Sequence, residues 1–192
     1  VFTWSMMVAT LVFFYMPLSL LVLFSFNSSK TTVWEGFSLR WFNALFFQSP
    51  ALWDAFGKSI LIAVLASLGA TIIGVSGAIG LFRYQLKFKR TIYVATFLPL
   101  LLPEIIMGVS LLIFFSTMGI TLGLPTIFIA HTTFCIPYVF LIMIARLDEF
   151  DPHIIEAAYD LGAKEWAVLM RVIVPMCTPA IIASLLVSMT LS

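Results

Sequence analysis

The stretch SILIAVLASLGATIIGVSGAIGLF, Ser59–Phe82, carries no charged residue and is bracketed by Lys58 and Arg83. About 20 mostly apolar residues suffice for a helix to cross the hydrocarbon core, so this run reads as a membrane span. Ala66, Ala70, Gly74 and Ala78 recur along it at four-residue steps. One face of small residues lets helix backbones approach closely in lipid, where apolar contact alone does not favour another helix over an acyl chain. That face predicts helix packing and implies no chemistry.

Outward from this run, four more qualify by the same criterion: Trp4–Phe26, Thr91–Met118, Thr126–Ala145 and Met170–Leu191. The 192-residue chain is 62% hydrophobic and 10% charged, whereas soluble domains carry about 25% charged residues. Such a chain cannot hide its apolar surface in one aqueous core. The expected fold is an all-α, polytopic transmembrane helix bundle, a single domain over residues 1–192 with its fifth span truncated. Val1 is not a methionine and Ser192 falls inside an apolar run, which reads as a fragment with residues missing at both ends. The first charge is Lys30, so the opening run exceeds the ~7–15-residue core of a signal peptide and is expected to be a retained span.

Lysine and arginine near membrane spans collect on the cytoplasmic side. Arg83, Lys87, Lys89 and Arg90 crowd one short connection that has no acid, which places it inside. Gly119–Pro125 is then outside, Arg146–Arg171 inside and Asn27–Lys58 outside. The outer segment holds Trp34, Phe37, Trp41, Phe42, Phe46, Phe47 and Trp53; amphipathic aromatics favour the headgroup level, so short surface helices or a packed cap both fit. A net charge of +1 offers no electrostatic footprint for nucleic acid.

Apart from Arg171 at the edge of the last run, Glu104 is the only formal charge inside the hydrophobic runs, about halfway along Thr91–Met118. A carboxylate there costs roughly 2.5–3.5 kcal/mol on insertion scales and should face a partner or a wet cavity. Pro99 and Pro103 precede it and should disturb the helix, freeing carbonyls to line such a cavity. A cationic amine would be a natural counter-ion on a translocation path. The alternative is a neutral or structurally paired glutamate at a helix interface. His131 and Cys135, four apart, make a poor metal site without nearby carboxylates, and no metal is expected. His131 fits a hydrogen bond to a neighbouring helix. Tyr93, Phe134 and Tyr138 fit aromatic packing, with stacking on an amine as the alternative. Cys135 and Cys177 lie in apolar stretches outside any CxxC pair and read as buried thiols.

The loop Arg146–Arg171 carries the most information. Asp151 suits a helix cap and Pro152 a first turn. Ile154, Ala157, Ala158 and Leu161 fall at i, i+3, i+4 and i+7, while Glu156, Asp160 and Lys164 step along another face. Gly162 suits the helix end or a bend. The expectation is a short amphipathic cytoplasmic helix, a turn, and re-entry into the membrane near Pro175; His153 belongs to the solvated part.

Glu156-Ala157-Ala158, three residues, Gly162, nine residues, then Val172-Ile173-Val174-Pro175 resembles the EAA loop of ABC-importer permeases, with Val172 and Val174 where that pattern has isoleucine and leucine. Phe26-Asn27-Ser28-Ser29, Trp34 to Leu39 with Trp41-Phe42 after it, and Arg83-Tyr84 look like the spermidine/putrescine permease group, specifically the second of its two membrane subunits. The resemblance implies a MetI-like permease fold in the bacterial cytoplasmic (inner) membrane. It implies that Glu156, Ala157, Ala158 and Gly162 are ATPase-coupling contacts. An acid after the same proline in polyamine-type relatives supports Glu104 as a substrate-path residue. The chain has no GxxxxGK(S/T) phosphate loop, so it is expected to be non-catalytic and to bind no cofactor, with ATP held by a cytoplasmic ATP-binding subunit. The other expected partners are a homologous second permease, an extracytoplasmic solute-binding protein and membrane lipid. Polyamines are the expected cargo. Alternatives are another small organic or cationic solute, an ion-coupled carrier using Glu104, or an intramembrane enzyme, the last without a nucleophile–base pair to support it.

Overall fold

The computed structural model describes residues 2–84 and 87–192. Gln85 and Leu86, in the basic connection, lie outside the described residues, as does Val1. The chain divides into two compact units, Val1–Gly57 and Lys58–Ser192.

In the first unit, helix α1 (Phe2–Ser25) is exposed along nearly its whole length. The aromatic segment after it is a packed knot built on Asn27. Burial of an amide demands hydrogen-bond partners, and Asn27 has them: Nδ2 donates to Val33 O at 2.7 Å and Thr31 O at 3.3 Å, and Oδ1 accepts from Glu35 N at 2.9 Å. Trp41 Nε1 donates to the Asn27 carbonyl at 2.8 Å. Phe26 stacks on Phe37 and packs at a tilt against Phe42, and Lys30 and Arg40 both lie over the Trp41 ring. Helix α2 (Arg40–Phe47) follows, and α3 (Pro50–Arg83) begins.

The second unit holds the rest of α3, then α4 (Lys89–Leu101), α5 (Glu104–Thr117), α6 (Leu124–Asp148), α7 (Pro152–Asp160), α8 (Glu165–Val168), a π-helical turn (Leu169–Ile173) and α9 (Val174–Leu191). Its core is the seam between α6 and α9. Cys135, Val139, Met143 and Leu147 of α6 are fully buried, as are Cys177, Ser184 and Ser188 of α9. The serines are small enough for close approach and return their hydroxyls to their own helix, Ser188 Oγ to Ser184 O at 2.8 Å and Ser184 Oγ to Ile181 O at 2.9 Å. Both cysteines are free and buried.

The small-residue face of α3 is buried at Ala66, Ala70, Gly74 and Ala78. A Cβ on Gly74 would stand 2.7 Å from Val139 Cγ1, so glycine is what permits α3 to lie against α6 here. At the start of α9, Pro175 offers no N–H and its ring crowds the carbonyl four residues earlier; the π turn widens the backbone just ahead of it. Arg146 ties α6 to this region, with Nε and Nη2 donating to Met176 O at 3.2 and 3.1 Å.

Where one span was expected over Thr91–Met118, two helices stand, α4 and α5, bent by 106°. Leu102 is extended (φ −91°, ψ 138°) and Pro103 follows at φ −55°, ψ 133°; proline disfavours helix in the residue before it. Among the described residues, four helices are long and apolar enough to cross a membrane, and the α4–α5 pair makes a fifth if taken together.

Candidate functional site

Two places bring the sequence-predicted residues together. The first is the loop between α6 and α9. Asp151 Oδ1 accepts from His153 N at 3.0 Å, capping α7 as its position predicts. At the other end, Gly162 N donates to Tyr159 O at 2.8 Å and Ala163 N to Ala158 O at 3.1 Å, with Gly162 at φ +78°. That pair of bonds closes the helix with a left-handed residue, a conformation glycine adopts at no steric cost.

The apolar face of α7 divides differently from the sequence expectation. Ile155 and Ala158 pack against the core, together with Ala163 beyond the turn. Ile154, Ala157 and Leu161 point away, and Leu161 is 89% exposed. Helical spacing shows which residues share a stripe, whereas packing against the core decides which stripe turns inward. Glu156 is exposed, with His153 Nδ1 3.3 Å from its Oε2.

Arg83 and Tyr84, at the end of α3, meet this loop. Arg83 donates through Nη2 to the Tyr159 hydroxyl, and the same nitrogen pairs with Glu165 Oε1 at 3.4 Å. Tyr84 Oη donates to that carboxylate oxygen at 3.0 Å. The bond to Glu165, and then its negative charge, raise the Tyr84 phenol above its ordinary value. Tyr159 and Glu165 as partners of Arg83 have no local signal in the sequence, because the contacts span 76 and 82 positions.

The second place is a cleft of about 240 Å³ beside the α4–α5 break. Glu104, Met107, Gly108 and Leu111 of α5 line it with Ala130, His131 and Phe134 of α6 and Leu191 of α9. Glu104 occupies the first turn of α5, where the helix dipole favours an anion. It makes no hydrogen bond or ion pair with the described residues. His131 Nδ1 lies 2.9 Å from Ser192 Oγ, the interhelical bond expected of it. Phe134 packs at a tilt against Tyr138, while Tyr93 packs against Phe97 and Phe140 away from the cleft. Cys135 turns towards Ser188 O at 3.6 Å. Among the described residues no three potential metal ligands cluster. A mostly apolar cleft with one unpartnered carboxylate, one imidazole and one aromatic ring suits a ligand that joins a positive amine to an alkyl chain.

Residues 70–192 match the family model described as binding-protein-dependent transport system inner membrane component. The chain is 40% identical to the spermidine/putrescine transport system permease protein PotC of Haemophilus influenzae over 181 residues, covering 94% of this chain and 70% of that protein. It is 37% identical to PotC of Escherichia coli K12, covering 97% and 70%. Against the putrescine transport system permease protein PotI of the same strain the identity is 41%, covering 94% and 66%.

Proposed function

The chain belongs to the family of binding-protein-dependent transport system inner membrane components, and from that premise we propose how its two sites divide the work of a polyamine importer. It is a non-catalytic permease subunit of the inner membrane, and ATP hydrolysis belongs to a partner subunit. The cargo is spermidine or putrescine. The observation that carries this reading is the 40% identity, over 94% of the chain, to a permease named for those two amines. Family membership also removes the ion-coupled carrier and the intramembrane enzyme as readings.

The exposed stripe Ile154, Ala157 and Leu161, flanked by Glu156 and closed by Gly162, is the docking face for the cytoplasmic ATP-binding subunit. Its apolar side chains are exposed on a helix that is fixed at both ends, a pre-organised arrangement that lowers the ordering cost of binding. On the bundle side, Glu104 supplies the negative charge that receives an ammonium of the cargo, and the apolar wall formed by Met107, Leu111 and Phe134 receives its methylenes. A homologous second permease completes the pathway, and an extracytoplasmic binding protein delivers the solute. No cofactor is required by this chain itself.

The test is uptake of labelled spermidine and putrescine into proteoliposomes holding the complete permease pair and its ATPase. Accumulation that needs both ATP and the binding protein is the expected result. ATP hydrolysis that responds to the binding protein without polyamine accumulation overturns the cargo and leaves the docking face standing.

A further inference from the structure

We propose that Arg83 is a positioning residue for coupling: its guanidinium clamps α7 and α8 to the end of α3, so that a displacement of the loop is passed into the membrane bundle. Arg83 has this role only if residues 146–171 form the coupling loop proposed above.

Apart from the Arg146 bonds to Met176 O at its start, the loop's remaining attachments to the bundle are not directional. Ile155, Ala158 and Ala163 touch the core through apolar packing, which resists compression but gives little resistance to sliding. Between α7 and α8 the chain turns at Gly162, where an added Cβ would meet nothing within 4 Å. Packing around this turn does not hold the two helices in one orientation.

Arg83 bridges the turn from the α3 side. It reaches Tyr159 before Gly162 and Glu165 after it, and Tyr84, its neighbour in sequence, adds a second donor to the same Glu165 oxygen. The Arg83 side chain is only 12% exposed, while its partner Glu165 is 59% exposed, so the guanidinium is the desolvated member of the pair. Charge-assisted hydrogen bonds from a desolvated guanidinium hold a geometry that a fully solvated surface pair does not.

Arg83 Nη1 is buried and has no hydrogen-bond partner among the described residues. A carboxylate can engage a guanidinium through two parallel bonds, so a small rotation of Glu165 would recruit this spare donor. The clamp then persists as the loop shifts, which a coupling element requires. Lysine cannot replace this fork, because an ammonium is a point charge without the planar pair of donors.

The experiment uses the complete transporter in proteoliposomes, reading labelled spermidine taken up per ATP hydrolysed together with co-purification of the ATPase. Arg83→Lys and Glu165→Gln are expected to lower uptake per ATP about tenfold and Tyr159→Phe about threefold, the range over which network residues modulate coupling. The ATPase should co-purify undiminished. Arg83→Lys combined with Tyr159→Phe should be no worse than Arg83→Lys alone, since both remove one shared contact. Tyr159→Phe deletes a single oxygen from an exposed side chain, so the test survives even if the other variants assemble poorly. Uptake per ATP within about twofold of the unsubstituted transporter for Tyr159→Phe and Glu165→Gln, or losses that multiply in the double variant, would overturn the clamp. Leu161→Asp reads docking separately: an ATPase that still co-purifies with it overturns the coupling-loop reading, whatever Arg83 does.

Discussion

The helical path is interrupted with polar groups nearby at two corners of the molecule, and they resolve the interruption in opposite ways. At the α7–α8 corner the polar groups are tied to one another, with Arg83 Nη1 the one buried donor left over among the described residues. Asp151 caps the helix, Gly162 closes it, and Glu165 collects donors from Arg83 and Tyr84. At the α4–α5 corner, Pro103 breaks the helix and Glu104 begins the next one with no partner among the described residues. A polar group left unpaired by the fold is available to something outside it. The first corner is therefore suited to transmitting force, and the second to holding a cation.

The largest effect separates the corners outright. Leu161→Asp puts a charge at the C-terminal end of the exposed α7 stripe, where burial of an unpaired carboxylate against a partner would cost about 2 kcal/mol or more, the scale of an interface hot spot. Uptake should be abolished and the ATPase lost on purification. Retention of the ATPase would break the assignment of this corner.

Glu104→Gln comes next and acts on the other corner alone. Hydrogen bonds to charged groups contribute about 1.5–3 kcal/mol, so the spermidine concentration for half-maximal uptake should rise about tenfold or more. ATPase co-purification should stay unchanged. Unaltered uptake kinetics would remove Glu104 from the path and make the cleft a packing defect.

A smaller effect tests how tightly each corner's helices are held. Gly74→Ala places a methyl group against Val139, and overpacking of this kind costs about 1–3 kcal/mol. At Gly108 on α5, nothing lies within 4 Å of an added Cβ, and replacing a helical glycine by alanine there should add about 0.5–1 kcal/mol. Thermal unfolding of the detergent-solubilised chain should move in opposite directions for the two variants. Equal destabilisation would mean that α5 is packed as closely as α3.

Much of the tied corner was legible in the sequence because its devices are local. An aspartate two residues ahead of His153 and a glycine just past the helix end announce themselves by spacing alone, and the four-residue rhythm of Ala66, Ala70, Gly74 and Ala78 announces a buried face. Pro99 and Pro103 signalled a disturbed helix, but not a 106° bend, because proline removes helical bonds without dictating where the chain goes next. The inward face of α7 and the Arg83 contacts were hidden for another reason. Each depends on which distant helix the loop lands on, and the residues involved are separated by most of the second unit. The Ser184–Ser188 face of α9 was missed because serine in an apolar run reads as tolerated polarity until its hydroxyl is seen returning to its own backbone.

The smallest effect belongs to Tyr84, and it sharpens the comparison without disturbing transport at neutral pH. Its phenol donates to Glu165, and that bond and the adjacent negative charge favour the protonated form. The folded-state value therefore lies above the ordinary 10.0. The contribution of this bond is whole below pH 10.0 and is lost as pH rises through the raised folded value. The tyrosinate absorbance of the unsubstituted chain minus that of Tyr84→Phe isolates this one phenol, and its midpoint should lie above 10.0. Glu165→Gln keeps an acceptor but removes the charge, so the midpoint should fall back towards the ordinary value while remaining measurable. A difference titration centred at or below the ordinary value would mean that Glu165 does not hold Tyr84, and the tied corner would then depend on Arg83 alone.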